Sequence, residues 1–137
     1  MFFSCTKEAN NKGTGSGAPT LVGKWTIVND STTAVPWGLF AGQPSTGANY
    51  KGKAGDSYNF ESNGNLYVTE GVNKDTATYL THLNLVRIGY TYYNNAAANP
   101  YPGVEFFVSN LTAHTVTLAD TAASPEVIYT ETINLKR

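Results

Sequence analysis

The sequence predicts an all-β domain of about eight antiparallel strands that close into an up-and-down barrel. Apolar and polar residues alternate with a period of two along most of the chain after residue 20, and helical periodicity is scarce. Short turn-like segments separate the alternating stretches, as in an antiparallel meander. Closing such a meander on itself would remove the exposed strand edges that invite aggregation.

Composition supports a single domain and excludes several classes of protein. The 137 residues are 41% hydrophobic and 12% aromatic, which gives enough apolar surface for a self-standing core. The net charge is −1 and the charged residues are scattered, so no basic patch for a nucleic acid is present. A single cysteine excludes an internal disulfide, and no apolar run approaches the length of a membrane-spanning helix. A monomer is expected.

Residues 1–20 predict a tether, which starts at a cysteine. Met1-Phe2-Phe3-Ser4 before Cys5 resembles the end of a bacterial lipoprotein signal, although the charged start and most of the apolar region of such a signal are absent. The alternative is an unmodified cysteine in a disordered tail. Residues 7–20 are rich in Gly, Ser and Asn and predict a flexible linker.

Lipidation of Cys5 would anchor the domain formed by residues 21–137 to a membrane, since two or three lipid chains hold firmly. The expected location is therefore the bacterial cell envelope, with the chain anchored at the periplasmic or surface face of the outer membrane.

The strand assignments rest on local alternation and turn signals. Trp25 and Ile27 share a face of the first strand, and Asn63-Gly64 predicts a type I′ hairpin turn, which needs positive φ at both central residues. The predicted strands are 21–29, 57–61, 66–70, 76–81, 84–88, 104–111, 115–119 and 127–137.

Two connections are longer than the turns of a meander. Segments 30–55 and 89–103 predict functional loops, because long loops in a compact domain are usually functional or disordered and these carry aromatic residues. A further strand over residues 35–41 is an open alternative.

Several motifs together resemble the small bacterial lipocalin-like lipoproteins, which have a calycin-type barrel. Leu21-Val22-Gly23-Lys24-Trp25 is similar to their Leu-x-Gly-x-Trp opening. The other matching segments are Tyr58-x-Phe60-x-x-Asn63-Gly64, Asn110-Leu111-Thr112 to Leu118, and Leu135-Lys136-Arg137. The resemblance implies a lipocalin-like barrel from Leu21 onward.

The resemblance also implies which end of the barrel is closed. In lipocalins the tryptophan of the first strand packs against an arginine of the last strand at the closed end. The alternation in this chain would point both Trp25 and Arg137 inward. The pair would close one end, so any cavity is expected to open at the other.

The sequence predicts neither a metal site nor an enzyme, and no cofactor is expected. His82 and His114 are far apart, and no close-spaced ligand pair accompanies them. Glu61 and Glu70 lie on adjacent strands but are expected to face solvent, and no nucleophile or phosphate-binding motif is present.

Glu131 is the most interesting carboxylate, because alternation would face it into the barrel with Tyr129 and Ile133. It could hydrogen-bond a ligand. It could instead pair with Arg87 or Lys24, or lie beside a bulge that turns it outward.

Two functions remain open at this point. The first is a membrane-tethered binding protein for a small apolar or amphipathic ligand, because pockets of this kind are mostly apolar with a few polar groups. The second is a structural or interaction lipoprotein, whose side-chain-filled barrel contacts a protein or glycan through Tyr-rich loops. The residues expected to line the ligand site or mouth are Trp37, Phe40, Tyr90, Tyr92, Tyr93, Tyr101 and Glu131.

Overall fold

The computed structural model describes residues 18–90 and 104–137 of the chain. It confirms the all-β fold: eight antiparallel strands form a closed barrel, and one extra strand is added to it. The strands are β1 (Gly23–Pro36), β2 (Thr46–Lys51), β3 (Ser57–Phe60), β4 (Asn65–Glu70), β5 (Asn73–His82), β6 (Leu85–Tyr90), β7 (Val104–Ser109), β8 (Thr115–Ala123) and β9 (Val127–Lys136).

The barrel closes because β1 pairs with neighbours on both of its edges. One edge of β1 holds β9, from Thr26 opposite Lys136 to Pro36 opposite Val127. The other edge is shared by β3 near its start and by β2 near its end, so β2 is the extra strand. The remaining strands follow in sequence order around the barrel.

The barrel interior is filled by its own side chains. The inward positions of the strands carry large apolar residues, because alternate residues of a strand point to the same face. Trp25, Phe60, Leu66 and Leu118 are fully buried, and the other members of this core are at most 7% exposed. Phe60 packs edge-to-face on Tyr79, with ring centroids 5.0 Å apart. Burial this complete is typical of the close packing of protein interiors.

Four strands extend beyond the packed core at one end, which we call the mouth. The second halves of β1 and β8 and the first half of β9 continue past the core, and β2 lies beside β1 along the same stretch. This extension is open on both faces, and Thr32, Thr33 and Ala122 are exposed there. The opposite end, where β1 begins and β9 ends, is the closed end.

The extension corrects the prediction for residues 30–55. That segment is not one long loop, because it contains the end of β1, a 3-10 helix (Gly38–Phe40) and β2. An independent strand over residues 35–41 is also wrong, since β1 ends at Pro36 and the helix follows. A strand that is open on both faces has no need of apolar alternation, so the sequence pattern did not reveal it.

The predicted type I′ turn at Asn63-Gly64 is also wrong. Gly64 has φ +89°, but Asn63 has no positive φ. The amide of Gly64 donates to the carbonyl of Glu61, and the amide of Glu61 donates to the carbonyl of Asn65. The hairpin therefore has a three-residue loop with a glycine bulge, a common alternative for this connection.

A bulge in β1 sets the side-chain directions in the extension. The pairing with β9 shifts between Ile27 and Asn29, so that one extra residue, Val28, is accommodated. Without the shift, Asn29 would point inward; with it, Asp30 points inward instead.

The outer face of the extension is held by amide and hydroxyl groups. Hydrogen bonds connect side chains of four successive strands without a charged group. The connected side chains are Asn49, Ser31, Asn29, Asn134 and Thr117.

Candidate functional site

The closed end is built around the indole of Trp25. Its Nε1 donates a hydrogen bond of 2.7 Å to the carbonyl of Leu21, which is itself buried beneath the barrel. The guanidinium carbon of Arg137 lies 3.8 Å from the centroid of the Trp25 ring. An arginine in this position is attracted to the negative face of the ring by about 0.5–2 kcal/mol.

Arg137 also ties the segment that enters the barrel to its last strand. Its Nη2 donates to the carbonyl of Thr20 at 3.0 Å and to that of Val22 at 2.6 Å. Gly23 has φ +122°, and a Cβ there would lie 3.2 Å from the Arg137 guanidinium. The glycine of the Gly-x-Trp motif is therefore required both by its backbone conformation and by the arginine beside it.

Carboxylates gather at the mouth, directly above the apolar core. Asp30 and Glu131 lie on adjacent strands, β1 and β9, and form a side-chain hydrogen bond. Glu70 and Asp120 add negative charge from β4 and β8. Glu70 was expected to face solvent, but it is half-buried. Burial and the charge of Asp30 raise its pKa.

Glu131 is the most perturbed member of this group, which we call the mouth carboxylates (Asp30, Glu70, Asp120 and Glu131). Burial, followed by the charges of Asp30 and Asp120, raises the pKa of Glu131 to about 7. Burial also raises the pKa of Asp30, an effect partly offset by its hydrogen bond with Glu131. One oxygen of Asp30, Oδ1, is buried without a hydrogen-bond partner.

Arg87 is not the partner of Glu131, because its guanidinium lies 3.8 Å from the carboxylate of Glu105, the residue opposite it on β7. Glu131 lies opposite Thr32 on β1 and Asp120 on β8.

Asp56 is a structural carboxylate near the mouth. It accepts hydrogen bonds from the amide of Lys53, the hydroxyl of Tyr50 and the amide of Gly71. These bonds hold the pKa of Asp56 below its usual range, and the Asp56 carboxylate in turn raises the pKa of Tyr50 to about 12. The Asp56 carboxylate therefore joins the β2–β3 connection to the β4–β5 turn, and both of its oxygens accept hydrogen bonds there.

Two of the aromatic residues expected at the mouth lie on its rim. Trp37 follows β1, and its Nε1 donates to the carbonyl of Ser124 in the β8–β9 turn. Trp37 and Phe40 each remain more than two-fifths exposed. Tyr129, which the site prediction did not include, is also exposed and lies two residues before Glu131 on β9.

The structure gives little on the remaining residues of the predicted site. Tyr90 is the last residue of β6. Strand β6 ends at the mouth, and β7 begins there. Cys5, Tyr92, Tyr93 and Tyr101 lie outside the described residues.

A groove of about 500 Å³ lies outside the barrel at the closed end, where no opening was expected. Val22, Leu80, Leu83 and Leu111 are among the residues that line it. Leu21 and Tyr79, which belong to the buried core, also line the groove.

Residues 18–90 and 104–137 contain no group of three or more His, Cys, Asp and Glu side chains arranged to hold a metal ion. Within the same ranges, no helix has the length and apolar character needed to cross a membrane.

Comparisons with family models, with curated proteins and with solved structures find no match to this chain.

Proposed function

We propose that this protein is a membrane-tethered interaction protein of the bacterial cell envelope, with a lipocalin-like barrel that presents an acidic and aromatic mouth to a cationic partner. The observation that carries the proposal is the filled barrel interior beneath a group of exposed mouth residues. The barrel then acts as a rigid support, and binding takes place on the extension above it.

The chemistry of the mouth favours a positively charged partner. Burial and the charges of neighbouring carboxylates raise the pKa of Glu70 and Glu131, and burial raises the pKa of Asp30. A lysine or arginine from a partner would relieve this repulsion. Trp37, Phe40 and Tyr129 offer aromatic surface beside the carboxylates, and such residues are enriched at interfaces and attract cations.

An enclosed apolar ligand has weaker support. Ligand pockets commonly have volumes of about 300–1,000 Å³ and surround most of the ligand. The inward side chains of this barrel are packed against one another, so a ligand of that size would require the core to separate. The small-ligand function stays a prediction of the resemblance.

A cationic peptide and its charge-reversed counterpart would test the proposed binding. We expect the full chain to bind a short peptide of lysine and tryptophan at low ionic strength, and the affinity to fall as salt is added. Glu131→Gln combined with Asp30→Asn should weaken binding, whereas Glu61→Gln at the closed end should not.

The peptide experiment also separates the alternatives. Equal binding of a glutamate–tryptophan peptide, or equal binding by the double variant, would contradict a charge-directed mouth. Binding of a neutral glycan that is insensitive to salt and to the double variant would favour the glycan-binding alternative instead.

The tether is a separate part of the proposal. It is supported by Cys5 with an apolar and small residue before it, and by the Gly- and Ser-rich segment after it. Metabolic labelling with a palmitate analogue should mark the chain in bacterial cells and should fail for Cys5→Ala. Equal labelling of the two would contradict lipidation at this cysteine.

A further inference from the structure

The closed end exposes more apolar surface than its role in packing requires. Leu83, in the β5–β6 turn, is 91% exposed, and Leu80 on the preceding strand is 74% exposed. Val22 and Leu111 flank the same groove from the entering segment and from the β7–β8 connection. These four residues form what we call the leucine rim.

Leu83 is also an unsuitable residue for its backbone conformation. Its φ is +54°, in the left-handed region, where a branched side chain without a local hydrogen bond is strained. Glycine or asparagine would fit this turn better. Because the leucine gains no burial in return, the folding of this domain does not explain its presence.

The charges of the described residues are divided between the two ends. The mouth end carries seven acidic residues and three lysines, and is therefore acidic on balance; they are Asp30, Asp56, Glu70, Asp75, Asp120, Glu126, Glu131, Lys51, Lys53 and Lys74. The closed end carries three basic residues, Lys24, Lys136 and Arg137. Among the described residues it carries one acidic residue, Glu61. The end of the barrel that holds the leucine rim therefore carries a small excess of positive charge among the described residues.

The chain enters the barrel at this same end. Pro19, Thr20 and Leu21 line the groove beside the leucine rim, so residues 1–17 join the domain here. In the proposed tethered protein, about 13 residues separate Cys5 from this point, a reach of at most about 45 Å when extended. The reach of the tether rests on the proposed lipidation of Cys5. The exposure of the leucine rim, the conformation of Leu83 and the charge of the closed end do not depend on it.

We propose that the closed end is a docking face for an anionic lipid bilayer. Leu80 and Leu83 enter the interface between headgroups and acyl chains, and Lys24 and Lys136 contact the phosphates of the headgroups. The mouth then points away from the membrane. A lipid anchor would supply most of the attachment, and the docking face would orient the barrel upon it.

Vesicle flotation tests the docking face without the anchor. The probe is the full chain carrying Cys5→Ser, mixed with vesicles of phosphatidylcholine and phosphatidylglycerol or of phosphatidylcholine alone. We expect the chain to bind the anionic vesicles and to bind the neutral ones more weakly. The double variant Leu80→Asn with Leu83→Asn should lose affinity for the anionic vesicles by about tenfold or more. Asparagine suits the left-handed turn at position 83, and the side chain at position 80 is exposed, so neither change removes a buried contact.

Val72→Asn is the matched control, because Val72 is 97% exposed in the β4–β5 turn at the opposite end. It should bind the vesicles as the parent chain does. An environment-sensitive dye attached through His82→Cys should shift to the blue on anionic vesicles, whereas the same dye attached through Val72→Cys should not.

Three results would overturn the docking face: no binding by the Cys5→Ser chain, equal loss for Val72→Asn and the leucine variant, or a dye shift at position 72 alone. Failure of palmitate labelling would leave this test unaffected, since the probe carries no lipid. The two proposals can therefore fail separately.

Discussion

At the scale of single residues, Arg137 connects three parts of the closed end. It stacks on Trp25, donates to the carbonyls of Thr20 and Val22, and occupies the space beside Gly23. The stacking of Arg137 on Trp25 could be predicted, because alternation points both side chains inward and the lipocalin resemblance implies that they pack together. The bonds to the entering segment could not be predicted, because nothing in the sequence places residues 20–22 beneath the barrel.

Arg137→Ala should lower Tm by a few degrees, because it removes the cation–π contact and leaves two carbonyls without their donor. Lys136→Ala, next to it and exposed, is the control. Thermal unfolding followed by circular dichroism would measure both. A Tm equal to that of the parent chain would mean that the arginine contributes nothing to closure.

Glu131 makes the folded state sensitive to pH. Its ordinary pKa is 4.5 and its folded pKa is about 7, so the folded chain binds this proton more tightly than the unfolded chain does. The carboxylate therefore destabilises the fold above about pH 7, and this cost disappears as the pH falls towards 4.5.

Glu131→Gln should remove the cost. We expect it to raise the free energy of unfolding by about 1–2 kcal/mol at about pH 8, less than a full conversion of the shift because solvent still screens the group. Near pH 5 the effect should be small. Urea unfolding across this range, with the exposed Glu126→Gln as control, would test it, and a gain independent of pH would contradict the explanation.

At the scale of elements, the strands with one buried face could be predicted and the open one could not. Tyr58 with Phe60 and Val116 with Leu118 alternate because their strands face the core. The β2 strand carries Thr46, Gly47, Ala48 and Asn49, all exposed, so its formation depends on pairing with β1 rather than on its own pattern.

The connection between β2 and β3 depends on a glycine that the sequence does not distinguish from the others. The amide of Gly52 donates to the carbonyl of Val28 at the bulge, and a Cβ on Gly52 would lie 1.9 Å from the carbonyl oxygen of Ile27. The two backbones therefore meet where β1 changes its partner from β3 to β2.

Gly52→Ala should destabilise the fold by about 2–4 kcal/mol, since backbone must move to admit the methyl group. Gly89→Ala is the control, because among the described residues a Cβ there meets the Thr78 hydroxyl at an ordinary 3.6 Å and alanine suits a strand better than glycine. Urea unfolding measures both. Equal stability of the two variants would mean that the β1–β2 junction can relax freely.

At the scale of the whole molecule, the barrel and the extension differ in how firmly they are held. The barrel strands have two neighbours and a buried face, whereas β2 pairs with β1 alone among the described strands. The eight-stranded closure could be predicted from the number of alternating segments. Its ninth strand and its filled interior depend on packing in three dimensions, which alternation does not record.

Hydrogen exchange should separate the two parts. Amides of β2 should exchange faster than those of β4 and β8 near Leu66 and Leu118, because local opening of an edge strand exposes no core. Exchange followed by mass spectrometry on peptides would measure this. Protection of β2 equal to that of β4 would show that the extension opens together with the barrel.

The contact between Arg137 and the entering segment also determines how the domain would respond to a pulling force. Tension on the chain before residue 18 would first load the arginine bonds to Thr20 and Val22, and then strand β1 from its start. Because β1 is hydrogen-bonded to β9 along nearly its whole length, a pull along the strand would load those bonds together in shear. A barrel pulled from this end would therefore resist being drawn apart.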